Sequence, residues 1–216
     1  MFIPLDMTAW LALFSLLGVA VAAAVPDGCP APKPKHQSKE GSHLLSPRCK
    51  VIYPTTFVTM SSAHPDNGHR GSHVDIKRVK KGDKFTNTWE TLLTFTGIPD
   101  GATGCMLRLQ MPETVEQGGL NGTGPAVVVD VWKVGAFAPK TDSMPTFNHY
   151  PNLQAMVATF NVPVGGNQPF DNILASDACS STMSFLLRYS DWQQGEGSAR
   201  WVQLNDHFGF SLIHSC

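Results

Sequence analysis

The sequence predicts an all-β fold, an antiparallel, jelly-roll-like β-sandwich of about nine short strands. Three observations predict it. Several segments alternate apolar and polar residues with period two, as in "GCMLRLQM". Clusters of Gly, Pro, Asn and Asp punctuate the gaps, as in "KKGD", "IPDGATG", "PVGGNQP" and "QQGEG". No window of about 12 residues carries a helical apolar stripe. A β-barrel is the main alternative.

The chain has 216 residues. Residues 1–24 read as a secretory signal peptide: an apolar run from Trp10 ends in small residues of the A-x-A kind near Ala24. The segment before the run carries Asp6 and no Lys or Arg. A membrane anchor is the rival reading, but the run falls short of the roughly 20 residues of a comfortable span. Residues 25–48 hold five prolines and few large apolar side chains. Such a segment cannot offset its ordering entropy by burial, so a flexible arm is expected.

Residues 49–216 form the expected β-sandwich domain, long enough for a real core. Clear strands are Cys105–Met111, 126–134, 155–162, 182–189 and 207–214. In them Cys105, Leu107, Leu109 and Met111 share a face, as do Met156, Ala158, Phe160 and Val162, then Met183, Phe185, Leu187 and Tyr189, then Phe208, Phe210 and Leu212. "AVVVDVWKV" is dense enough for a central strand. Weaker strands are Val51–Met60, His73–Val79, Phe85–Phe95 and Ala199–Leu204, while "FDNILASDA" suits one or two helical turns.

Removing Asp6 with the signal leaves 16 Asp+Glu of the original 17, against 16 Lys+Arg. A neutral chain has no electrostatic claim on nucleic acid. No second apolar span follows, so stable membrane insertion is not expected, and the product is expected to be extracellular or wall-associated. Five cysteines remain, with no CxxC. In an oxidising compartment two bridges and one spare thiol are the default. Cys179 opens one strand and Cys216 ends another, so Cys179–Cys216 is the favoured bridge, with Cys49–Cys105 second and Cys29 of the arm left over. Asn121-Gly122-Thr123 is a glycosylation sequon amid glycines, expected in an exposed loop.

"SSAHPDNGHRGSHVD" gathers His64, His69 and His73 with Asp66 and Asp75. Imidazole with carboxylate can hold zinc or copper. Yet His64-Pro65-Asp66-Asn67-Gly68 has turn chemistry throughout, so a solvated turn is preferred and no metal or cofactor is expected. A histidine brace needs His at the mature N-terminus, where cleavage exposes Val25 or a neighbour. There is no G-x-S-x-G, H-E-x-x-H or P-loop. Asp206-His207 with a serine is a weak triad. Of the acids that a glycosidase pair would need, Glu113 and Glu116 flank a loop, and Asp130 is expected to face solvent. Lys80-Lys81 is a candidate cleavage point in a turn. Trp89 and Trp132 are expected in the core. Trp192, in "YSDWQQGEG", is the ring expected to be exposed, as a contact for a glycan or peptide.

The segments "YPTTFVTMSSAHPD", "LTFTGIPDGATGCMLRLQMPE", "VDVWKVG", "CSSTMSFLLRY" and "FGFSLIHSC" follow one another in an order and spacing similar to a known family. The chain resembles fungal secreted proteins with a ubiquitin-three-binding-protein But-two C-terminal domain, over roughly residues 48–216. The resemblance implies a signal peptide, a variable arm and a β-rich domain, with no catalytic residues to carry over. The expectation is a secreted, non-catalytic structural or binding module with a cell-wall glycan or extracellular protein as partner. The alternatives are a secreted metal-dependent or polysaccharide-acting enzyme and an effector-like protein-interaction module.

Overall fold

The computed structural model describes residues 49–111, 120–124, 127–162, 164, 169–204 and 208–216. Residues 1–48, expected to be a signal peptide and an arm with Cys29, lie outside the described residues, as do Glu113, Glu116, Asp206 and His207. Among the described residues there are thirteen strands and no helix. They are β1 (Lys50–Ile52), β2 (Thr56–Ser61), β3 (His64–Gly71), β4 (His73–Lys81), β5 (Lys84–Thr96), β6 (Cys105–Met111) and β7 (Asn121–Thr123). Then follow β8 (Val127–Val134), β9 (Leu153–Val162), β10 (Phe170–Asp177), β11 (Thr182–Tyr189), β12 (Gly197–Val202) and β13 (Gly209–His214).

All pairings are antiparallel, in two sheets. One runs β1-β13-β6-β10; the other runs β7-β12-β4-β5-β11-β8-β9, with β2 also on β5 and β3 beyond β2. The sheets bury a shared core. Cys105, Leu107, Leu109 and Met111 of β6 face Met183, Phe185, Leu187 and Tyr189 of β11, with Trp201, Phe208, Phe210 and Leu212 beside them. The predicted sandwich is therefore the observed architecture, with thirteen strands in place of about nine.

The larger sheet is buried on its outer face too. Val58, Met60, Leu92, Val134, Phe137 and Leu186 form a second cluster, joined by Trp132, Met144, Phe147, Tyr150 and Leu153. The connection 135–152 supplies the cover, and it explains why β8 reads as a dense apolar run. Trp132 is half-buried on this outer side rather than in the inter-sheet core, and Trp89 is half-buried beside Asp75, Lys77 and Arg200.

Five expectations are corrected. Residues 170–177 are β10 and not helical turns, because they pair with β6 from Phe170↔Met111 to Asp177↔Cys105. Residues 64–71 are the edge strand β3: the register jumps from Ser61↔His64 to Met60↔Gly68, so Pro65, Asp66 and Asn67 bulge from a strand instead of forming a turn. The sequon is exposed at Asn121 but sits in the short edge strand β7, paired with β12. Met156 is 53% exposed because a register shift in β8–β9 places it opposite Trp132, off the face of Phe160 and Val162.

The fifth concerns the bridges, which are Cys49–Cys216 and Cys105–Cys179. The same four cysteines pair differently because β11 and β13 lie in different sheets. Lys50↔His214 brings Cys49 to Cys216, and Asp177↔Cys105 brings Cys179 to Cys105. The bridges close separations of 167 and 74 residues. By chain entropy each contributes about 4–5 kcal/mol.

Candidate functional site

The turn 190–196 joins β11 to β12, and a buried arginine organises it. Arg78 shares the inward face of β4 with Val74 and Ile76. Its guanidinium lies between the rings of Phe85 and Tyr189, 4.0 and 4.1 Å from their centroids. It donates to the carbonyls of Ser190 (3.1 Å), Gly195 (3.2 Å) and Gln193. Burial lowers its pKa from the ordinary arginine value, against the pull of Tyr189. Three carbonyls aimed at one cation satisfy much of a charge that would otherwise be costly to bury.

Further bonds fix the same turn. The Val128 amide donates to Gln193 Oε1 at 3.0 Å, the Ser190 amide to the Val128 carbonyl at 2.9 Å, and the Lys80 amide to Glu196 Oε2 at 2.9 Å. Trp192 rises from this frame 66% exposed, as the sequence predicts. A large ring held in water on a pinned turn is suited to stacking against a ligand, since little ordering entropy remains to be lost on binding. Of the "DWQQ" group, Gln193 braces the turn, and Asp191 pairs with Arg188 at 3.5 Å.

A second arrangement crosses the outer sheet face. Met60, Glu90, Arg188, Asp130 and Thr159 stand side by side on β2, β5, β11, β8 and β9. Glu90 is 3% exposed. Tyr150 of the covering connection donates its hydroxyl to Glu90 Oε2, and Arg188 Nε donates to Oε1 at 3.3 Å. Burial pushes the Glu90 carboxyl up to about 7, although Arg188 pulls it down. Asp130 does not face solvent as expected: Thr159 Oγ1 (2.7 Å) and Ser190 Oγ (2.9 Å) donate to its two oxygens. Beside this row lies a cavity of ≈ 480 Å³, lined by Leu92, Phe137, Met144, His149 and Tyr150 among others.

The three histidines are not brought together. His64 and His69 lie on β3 against β2, whereas His73 lies on β4 between β12 and β5. His73 Nε2 is 3.0 Å from Asp75 Oδ2 and 3.2 Å from Arg200 Nη2. Among the described residues no three His, Cys, Asp or Glu side chains converge as a metal would need. Lys80-Lys81 sits at an exposed hairpin end, closed by Gly82 at φ 62°.

Sequence reasoning missed Arg78, Glu90 and Tyr150. For Arg78 a signal existed, since it continues the Val74, Ile76 face. For Glu90 none did, because both faces of "WETLLTF" are apolar or uncharged around it. Compared with known protein families and with curated proteins, the chain matches none.

Proposed function

We propose that the protein is a secreted, non-catalytic binding module of the extracellular space or cell wall, with the Trp192 turn as its glycan-contacting surface. The observation that carries this reading is an exposed indole on a turn held by a buried arginine. Exposed aromatic rings present a flat apolar face to the C–H face of a sugar. Two disulfides fit an oxidising compartment, and among the described residues no helix is long and apolar enough to cross a membrane. The likeness to But-two C-terminal domains belongs to the same proposal.

The enzymatic alternative draws on Glu90 and its near-neutral pKa. Its carboxyl is enclosed and engaged by Tyr150 and Arg188, so the geometry favours binding over acid–base chemistry. The test is sedimentation of the purified secreted protein with insoluble wall polysaccharides, chitin and β-glucan, beside Trp192→Ala. Binding that the variant loses supports the proposal. Equal retention of both chains, or retention of neither, rejects Trp192 as the contact.

A further inference from the structure

Strands β7, β12 and β4 set a file of side chains away from the inter-sheet core, and Trp89 of β5 stands at its end. Thr123 stands opposite Ser198, Ser198 opposite Lys77, and Lys77 opposite Trp89. One step along, Asn121 stands opposite Arg200, and Arg200 opposite Asp75. The intervening Val74, Ile76, Ala199 and Trp201 are core residues, so strand alternation turns the β4 and β12 members of this file outward; Trp89 joins them at the β4–β5 crossing, where it borders the same hollow as Asp75, Lys77 and Arg200. Contacts confirm the shared face: Thr123 Oγ1 and Ser198 Oγ lie 2.9 Å apart, and Arg200 Nε lies 3.4 Å from Asp75 Oδ1. Trp89 is oriented by its indole N–H, which donates to Asn87 Oδ1 at 2.6 Å.

Two hollows lie on this face and share Lys77 and Ser198 in their walls. One, of ≈ 270 Å³, reaches Thr123 and Gly124; the other, of ≈ 240 Å³, reaches Arg200, Asp75 and Trp89. Together they make a groove that starts beside the sequon and ends at an indole. Three strand steps separate β7 from β5, about 14 Å at ~4.8 Å each. The opposite side of β7 is closed, because Val164 packs where a side chain on Gly122 would stand.

We propose that the N-glycan carried by Asn121 lies back along this groove, over β12 and β4, and packs on the Trp89 ring. The chemistry of the walls suits a sugar: Lys77 and Arg200 donate, Asp75 accepts, and the indole offers an apolar face. The attached glycan is the occupant because the groove opens beside its own attachment point. Its consequence is cover for β7, a three-residue strand that among the described residues pairs with β12 alone. The inference rests on the reading of the chain as secreted, since Asn121 is modified only on that route.

The experiment uses the full chain secreted from a eukaryotic host fed ¹³C-glucose. Mass spectrometry of the Asn121 peptide reads occupancy, and isotope-edited NMR reads contacts between sugar protons and the Trp89 indole. The expected result is an occupied Asn121 with such contacts, lost after endoglycosidase trimming to one sugar and in Trp89→Ala, and kept in Trp89→Phe as contacts to the new ring. An occupied Asn121 whose sugars show no contact with residue 89 overturns the inference. So does a groove that takes up free chito-oligosaccharide while the attached glycan stays in solvent. Secretion with Asn121 unoccupied overturns it but leaves the Trp192 proposal standing, whereas a chain retained inside the cell sinks the secretion reading itself.

Discussion

Replacing Glu90 by Gln removes a charge from the outer-face cluster while keeping an acceptor for the Tyr150 hydroxyl. In the folded chain the Glu90 carboxyl is raised from 4.5 to about 7, chiefly by burial. A carboxyl with a raised folded pKa stabilises the fold when protonated. That contribution is complete below pH 4.5 and is lost as pH rises through about 7. A rise of this size corresponds to about 3 kcal/mol at 1.36 kcal/mol per pKa unit. Arg188, Tyr150 and Asp191 face the same carboxyl and remain in the variant. Asp171 and Asp177, held below the ordinary carboxylate range by Arg108 and Lys133, act in the opposite sense and at lower pH. The assay is urea unfolding at intervals from pH 4.5 to 8, with disulfides intact. We expect the wild type to lose about 3 kcal/mol relative to Glu90→Gln across that range. Parallel profiles would refute the reasoning. A wild type that gains on the variant as pH rises would show that the Arg188 ion pair outweighs burial.

Trp192→Ala is expected to leave stability within about 0.5 kcal/mol of wild type, because the ring is exposed; chemical denaturation checks this beside the polysaccharide assay. Arg78→Met removes the donors to Ser190, Gln193 and Gly195, and a loss of about 3 kcal/mol is expected. Hydrogen exchange in residues 190–196 should rise with it, and glycan binding should weaken through a turn no longer held. Non-reducing peptide mapping should recover Cys49 with Cys216 and Cys105 with Cys179. The Cys105→Ser/Cys179→Ser double variant should lose about 4 kcal/mol, read by urea unfolding.

The strands of the inter-sheet core were legible in the sequence wherever one face is wet. In β6 the alternation of Cys105, Leu107, Leu109 and Met111 with Met106, Arg108 and Gln110 needs only the local pleat and a core on one side. At the exposed edges of the sheets, where little is buried on either face, the pattern fades. "FDNILASDA" has no such alternation, and only pairing with β6 makes it a strand. β3 carries Pro, Asn and two glycines, and its place on β2 depends on a bulge that local chemistry does not specify.

The sequence alone determined the all-β class, the cysteines that are bridged and the exposure of Trp192, because strand period, cysteine content and a polar Gly-bearing turn are local properties. Only the tertiary structure decided which cysteines meet, since that depends on which strands share a sheet. It alone set the charged row through Glu90, the Arg78 clamp and the two hollows between Thr123 and Trp89. Each joins residues far apart in the chain, and their meeting is fixed by sheet order and register, which the period-two pattern leaves open.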